Sequence, residues 1–288
     1  MPGFNGLRVL SFESRRAQEI AQLIRHNGGK PIVAPSTQEV QTPNEAERAL
    51  IRGILNQQFD AVILMTGVGS RALVEAAESI CSKDQFLGAL RKTRVIARGP
   101  KPSAAMREFA IPVTLTVPEP NTWREIVKTL DENPERVPLK GKRIAIQEHG
   151  EPSNDLYSAL RKRGAEVVAA RVYRWELPDD TAPLRNAIQA IVEGEIDVVM
   201  FTSSVQYVHA ARVANQMGLG DQFRTGLRRT VIASIGPTCS ETLRDNGVQV
   251  DLEPSHPKMG YLVKETGENT KELMRQKKAA ADFADSRG

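Results

Sequence analysis

The chain repeats itself. FDAVILMTGVGSRALVEAA, beginning at Phe59, returns as IDVVMFTSSVQYVHAARVA from Ile196, 137 residues later. TRVIARGPKPSAAMREFAIPV from Thr93 returns as TVIASIGPTCSETLRDNGVQV from Thr230 at the same offset, with Gly99-Pro100 and Gly236-Pro237 in register. A third pair, GLRVLSFESRRAQEIAQLIRHNGGKPIVAP from Gly6 and GKRIAIQEHGEPSNDLYSALRKRGAEVVAARV from Gly141, recurs at 135 residues. Segments recurring in one order constrain the fold more than local propensity does, because each copy must be built on the same architecture. At 288 residues the chain is about twice the usual domain size, so two related domains are expected.

Each copy runs from a short β-branched apolar stretch through small or polar turn residues into an amphipathic helical pattern, then a Gly before the next apolar stretch. The strands expected are 8–11, 31–34, 61–65, 94–97, 143–147, 167–172, 198–201 and 231–235. Most are apolar throughout, as parallel strands covered on both faces by helices must be. Thr42 with Glu45, Thr122 with Glu125 and Thr238 with Glu241 have capping-box spacing, and Pro43 and Pro237 suit first-turn positions. From about Glu265 the sequence leaves the repeat and becomes charged and Ala-rich, which predicts a solvated helix or a disordered extension.

Composition narrows the function. Lys and Arg exceed Asp and Glu by 39 to 35, a mild and dispersed excess that favours small anionic ligands. Aromatics are 5%, without the basic stripe interleaved with aromatics that nucleic-acid binding calls for. No stretch is long enough for a membrane span and no leader precedes the repeat, so no membrane association and no export are expected. Cys81 and Cys239 alone make neither a disulfide framework nor a metal motif, which suits a reducing, cytoplasmic setting. TGVGSRA departs from the dinucleotide fingerprint, and GxSxG, HExxH and Walker patterns are missing. His26, His149, His209 and His256 are scattered, so neither metal nor cofactor is expected. No heptad or repeat edge advertises a partner, and a monomer is expected.

In open α/β sheets ligands collect beyond the carboxyl ends of the strands. The turns there are 12–15, 66–71, 98–103, 147–154, 202–205 and 236–240. Helix N-termini in such turns leave N–H groups free for an anion. Ser70, Ser103, Ser203, Ser204 and Thr238 add hydroxyls, and Arg71, Arg98 and Lys101 add charge-assisted donors. With Thr66, Gly67, His149 and Pro237 from the same turns, these form the candidate binding set.

ASIGPTCSETLRDNGVQV from Ala233, VVMFTSSVQYV from Val198 and EVVAARVYRW from Glu166 resemble segments of uroporphyrinogen-III synthases, in an order and spacing that cover about residues 6–265. The resemblance implies two similar parallel-sheet α/β domains joined by a two-stranded β connector, with an active-site cleft between them. It assigns 1–36 plus 175–265 to a discontinuous first domain and 38–172 to a second, leaving 266–288 as a charged extension. The implied reaction closes the linear tetrapyrrole hydroxymethylbilane, a polycarboxylate, with loss of water and inversion of the terminal pyrrole. Tyr173, in Val172-Tyr173-Arg174, matches the family's tyrosine and is the implied catalytic acid. Two departures stand out: the turn Met65-Thr66-Gly67-Val68-Gly69-Ser70-Arg71 is longer than the family's Phe-Thr-Ser type, and Pro152 removes an amide donor. The alternative is a non-catalytic two-lobed module that binds an anionic ligand on the same fold.

Overall fold

A computed structural model describes residues 3–40, 44–148, 152–172 and 174–285, with side chains as far as Lys277. The chain divides into two compact units, one of Met1–Gln38 with Glu176–Gly288 and one of Glu39–Trp175. The first unit holds β1 (Arg8–Ser11), α1 (Ala17–His26) and β2 (Lys30–Val33), then α8 (Ala182–Val192), β10 (Val198–Phe201), α9 (Ser204–Gln216), α10 (Gly220–Arg229), β11 (Val231–Ser234), α11 (Pro237–Asp245) and α12 (Met259–Asp285). The second holds α2 (Glu45–Leu55), β4 (Ala61–Leu64), α3 (Gly67–Ala77), α4 (Lys83–Lys92), β5 (Arg94–Ala97), α5 (Pro100–Glu108), β6 (Leu115–Thr116), α6 (Trp123–Asp131), β7 (Arg143–Gln147), α7 (Asn154–Lys162) and β8 (Glu166–Ala170). Where the chain passes between units, β3 (Gln38–Val40) and β9 (Arg174–Glu176) pair as a two-stranded sheet.

The repeat is one sheet made twice. The first unit's strands lie in the order β11-β10-β1-β2 and the second's in the order β6-β5-β4-β7-β8, with all pairings between them parallel. Exchanging each strand for its repeat partner turns one order into the other, with β6 as the addition. A lock repeats with it. Asp197 accepts the Arg8 amide at 2.7 Å, and its own N–H donates to the Arg8 carbonyl at 3.1 Å. Asp60, the earlier copy, accepts the Arg143 amide at 2.9 Å and donates to the Arg143 carbonyl at 2.9 Å. The Arg143 amide and then the Lys142 ammonium hold the Asp60 carboxyl below its usual range.

Alternate strand residues face opposite layers, so each sheet buries both faces. In the second unit Val62, Leu64 and Val95 pack with Leu50, Leu73 and Phe86 from α2, α3 and α4, while Ile63, Ile96 and Ile144 pack with Ile126 and Leu160 from α6 and α7. In the first, Leu10, Val199 and Phe201 meet Ile188, Val213 and Phe223, while Val9, Val198 and Met200 meet Ile20, Ile24, Leu262 and Val263.

All eight expected strands form within two residues of their expected limits; β3, β6 and β9, two or three residues long, are too short to show a period. The capping box at Thr122 and Glu125 forms, with Thr122 N donating to Glu125 Oε2 at 2.9 Å and Arg124 N to Thr122 Oγ1 at 3.2 Å. Thr42 and Pro43 lie outside the described residues, and α2 is capped by Asn44, whose Oδ1 accepts the Glu47 amide at 2.8 Å. Thr238 is no cap: Gly236 precedes α11, Pro237 opens it, and Thr238 sits exposed inside its first turn.

The expectation of a solvated tail is corrected. Glu265 lies within α12, which packs on α1 and β11 and buries Thr266, Thr270 and Lys277. The inward face is built of small residues: Thr266 Oγ1 donates to Leu262 O at 2.6 Å, Thr270 Oγ1 to Thr266 O at 2.5 Å, and Gly267 lies against the Phe4 ring. Such a stripe carries little apolar signal, which is why its composition reads as surface.

Glu47 on α2 is 3% exposed, and its Oε2 has no hydrogen-bond partner. Burial raises its pKa above the ordinary 4.5. Below that value both folded and unfolded chains carry the neutral acid. As pH rises past it the unfolded chain ionises first, so the penalty grows through the window up to the raised value and is complete above it. Glu47→Gln is therefore expected to stabilise the protein in neutral buffer more than near pH 4, as read from urea midpoints; a pH-independent difference would contradict this account.

Candidate functional site

In each sheet the chain turns to opposite sides from two adjacent central strands, and the crevice beyond their carboxyl ends is where such sheets bind ligands. That point lies between β1 and β10 in the first unit and between β4 and β7 in the second. Both are tied by a buried amide side chain. In the first unit Gln206 of α9 accepts the Thr202 amide at 2.8 Å through Oε1 and donates to Thr202 Oγ1 at 2.7 Å through Nε2. The Thr202 hydroxyl in turn donates to Glu13, whose other oxygen accepts the Arg16 amide at 3.2 Å at the start of α1. A carboxylate of the protein therefore already occupies that helix terminus.

In the second unit the amide arrives from the strand. Gln147, at the end of β7, accepts the Thr66 amide at 3.4 Å, and a Cβ at Gly69 would overlap its side chain. Gly69 and Gln206 are repeat partners, as are Gln147 and Phe12. The amide has thus moved from helix to strand between the copies, and Gly69 is the position that makes room. This is the physical reason for the second glycine of the turn 66–71. The next residue, Glu148, is 7% exposed, accepts the Tyr157 hydroxyl at Oε1 and lies 3.5 Å from Arg171 Nε at Oε2. Burial, and then the Glu148 hydrogen bond, push the Tyr157 phenol well above its ordinary range, so it remains protonated and a donor.

The candidate residues divide by position. Thr66 caps α3, its Oγ1 accepting the Gly69 amide at 2.9 Å; Gly67 opens that helix close against the Lys101 carbonyl, and the Lys101 side chain is exposed. Ser70 is fully buried and donates to Thr66 O at 2.7 Å, so its hydroxyl faces inward rather than toward a ligand. Arg71 forms a two-point pair with Glu108 at 2.8 and 2.5 Å and also reaches Gly67 O at 3.2 Å. Glu108 raises the Arg71 pKa, Arg71 lowers that of Glu108, and the charge is neutralised within the unit. Arg98 donates to Met65 O at 2.9 Å, and the Ser103 hydroxyl lies 2.9 Å from Gly99 O and 3.1 Å from Thr116 Oγ1. Gly99 itself, at φ 100° with Asn121 where a Cβ would go, admits no larger residue without a shift. Ser203 and Ser204 start α9, and Pro237 and Thr238 start α11. His149 and Tyr173 lie outside the described residues.

The helices that follow β1, β4, β5, β7, β10 and β11 are α1, α3, α5, α7, α9 and α11. Among the described residues only Thr66 of α3 gives its helix a cap hydrogen bond from the N-cap side chain. The turns before α9 and α11 thus present amides, in a dipole field that favours negative charge, although Pro237 removes one donor from α11. At α5 Pro100 and Pro102 carry no N–H and the Gly99 and Ser103 amides are bonded within the chain, so that terminus offers little beyond the Lys101 amide. Cys239, on the buried side of the first turn of α11, has its thiol pushed up to about 11 by burial, the direction opposite to that of a nucleophilic cysteine. Among the described residues no three His, Cys, Asp or Glu side chains gather as metal ligands, and no helix is long and apolar enough to cross a membrane. A groove of about 550 Å³ lined by Val208, Arg212 and Asn246 runs along α9 to the residue that ends α11, apart from their N-termini.

Glu13, Gln206, Gln147, Glu148, Tyr157 and Arg171 are absent from the set drawn from sequence. One signal was available: Glu13 and Glu148 stand 135 residues apart, at the offset of the third repeat. An acid retained just past the same strand in both copies marks the crevice.

Residues 18–264 match the family model described as uroporphyrinogen-III synthase HemD. A putative uroporphyrinogen-III synthase of Methanothermobacter thermautotrophicus is 28% identical over 234 residues, 81% of this chain and 87% of that one. The uncharacterized protein YjjA of Bacillus subtilis is 28% identical over 264 residues, 91% of this chain and 96% of its own. A mutant uroporphyrinogen III synthase from Thermus thermophilus superposes with a TM-score of 0.68 at 23% identity, covering 94% of this chain and all of that one. At that identity the likeness concerns the fold.

Proposed function

Because this chain belongs to the uroporphyrinogen-III synthase family, we propose that it converts hydroxymethylbilane to uroporphyrinogen III, as a cyclising lyase of tetrapyrrole biosynthesis acting as a cytoplasmic monomer without a cofactor. The observation that supports this reading is the pair of helix N-termini, α9 and α11, that lack side-chain caps at the carboxyl ends of the adjacent strands β10 and β11. The substrate bears eight carboxylates. Each amide-bearing terminus favours an anion by about 0.3–1 kcal/mol, so the two side by side hold neighbouring carboxylates of the flexible bilane. Holding the reacting ends together is worth about 7–11 kcal/mol in favourable cases.

Orientation decides the isomer. The bilane must close with its last pyrrole inverted, through a spirocyclic intermediate, rather than by direct head-to-tail closure. Loss of the hydroxyl comes first: a donated proton lets it depart as water with breakage of the C–O bond. The ring carbon that closes the macrocycle releases a proton at the end, so protons balance with no external oxidant or reductant. Tyr173 is the proposed donor on the strength of its place in the family's segment, and an ordinary phenol is protonated at neutral pH.

The test generates hydroxymethylbilane in place and separates the two isomers. Type III product formed faster than spontaneous closure is expected. Type I product alone, at the spontaneous rate, overturns the synthase reading. The second reading, a two-lobed module that binds its anion unchanged, draws support from the neutralised Arg71 and the buried Ser70; it requires saturable binding of the tetrapyrrole with type I product only.

A further inference from the structure

Arg171, just beyond β8, combines exposure with fixation. Its side chain is 48% exposed. Its carbonyl accepts from Asn44 Nδ2 at 2.9 Å, and its Nε faces Oε2 of Glu148 at 3.5 Å. Glu148 cannot follow a moving arginine: it is buried, its amide donates to Ala170 O at 3.0 Å, and its Oε1 takes the Tyr157 hydroxyl. At 3.5 Å the contact is an ion pair without a well-formed hydrogen bond, so the guanidinium fork retains its donors for a second acceptor. Two other arginines of the second unit differ. The fork of Arg71 is closed by Glu108, and Arg98 donates inward to Met65 O.

We propose that Arg171 contacts a carboxylate of the tetrapyrrole substrate, and that Glu148, locked by Tyr157, is the residue that positions it. A planar guanidinium suits a carboxylate because two parallel N–H donors match its two oxygens, which an ammonium cannot reproduce. A pre-aimed fork also gives up less side-chain freedom on binding than a freely rotating one. The inference rests on the synthase reading for the identity of its ligand.

Two measurements on the full chain test it: the KM for hydroxymethylbilane, and the affinity for uroporphyrin, a stable octacarboxylate, read from porphyrin fluorescence. In Arg171→Ala both constants should rise on the order of tenfold, the size of one charge-assisted hydrogen bond, while kcat stays within about twofold. Arg171→Lys should fall between the two. Glu148→Gln, close in shape but uncharged, should raise both constants similarly, and the double variant should be no worse than Arg171→Ala alone, since both changes remove one unit. Thermal melting confirms that each variant is folded. Constants for Arg171→Ala within about twofold of the parent overturn the contact, and losses that multiply in the double variant overturn the positioning role. Should the parent form only type I product, the synthase reading fails by itself. The porphyrin measurement then decides for or against Arg171 independently.

Discussion

Replacing Tyr173 with phenylalanine should lower kcat for type III product by about 10²–10⁴-fold, the usual weight of a positioned proton donor. The ring is kept and only the hydroxyl is lost, so packing and melting temperature should barely change. Because the donor acts on the departing hydroxyl in the transition state, the loss should fall on kcat with KM nearly constant. The measurement is the initial rate with freshly formed bilane, with type I product counted as the uncatalysed background. Full turnover by Tyr173→Phe would reject the assignment even if the parent is a synthase. Arg171→Ala is expected to do the opposite and move KM, so the two variants separate chemistry from binding.

The largest expected effect on stability is far from the crevices. Lys277 and Asp251 pair at 2.9 Å with side chains 8% and 7% exposed, and Asp251 also accepts the Ile232 amide of β11 at 2.8 Å. Asp251→Ala leaves an ammonium buried without its partner, a change that costs about 3–5 kcal/mol in such pairs. For a chain of this size that lowers the melting temperature by roughly 10 °C. Adding Lys277→Met to that variant should recover part of the loss, because the stranded charge goes and the apolar stem stays. An unchanged melting curve for Asp251→Ala would mean that α12 does not hold the first unit's sheet through this pair.

Much of the fold was legible because it rests on local rules. Strands such as Val198–Phe201 are apolar throughout since both faces are covered, and residue type alone carries that signal. The Thr122 box was legible for the same reason, a cap being decided within four residues. Thr238 shows the limit: its spacing to Glu241 fits a box, but the chain enters α11 two residues earlier, through Gly236 and Pro237. The site was less legible than the fold. Ser70 and Arg71 have the right residue types in the right turn, yet one is buried against Thr66 and the other is neutralised by Glu108, 37 residues away.

By itself the sequence determined that two parallel sheets of one kind are made from repeated β-α pieces, and that their ligand-facing turns are rich in small residues and amides. Periodicity and recurrence carry that much, because burial on two faces dictates residue type at every position of a strand. Only the tertiary structure decided which copies share a sheet, that α12 packs as a support with a buried face, and that Gln206 and Gln147 tie matching turns, one from a helix and the other from a strand. Those outcomes depend on which distant side chain reaches a given polar group first, and nothing in the spacing of neighbours along a chain encodes that distance.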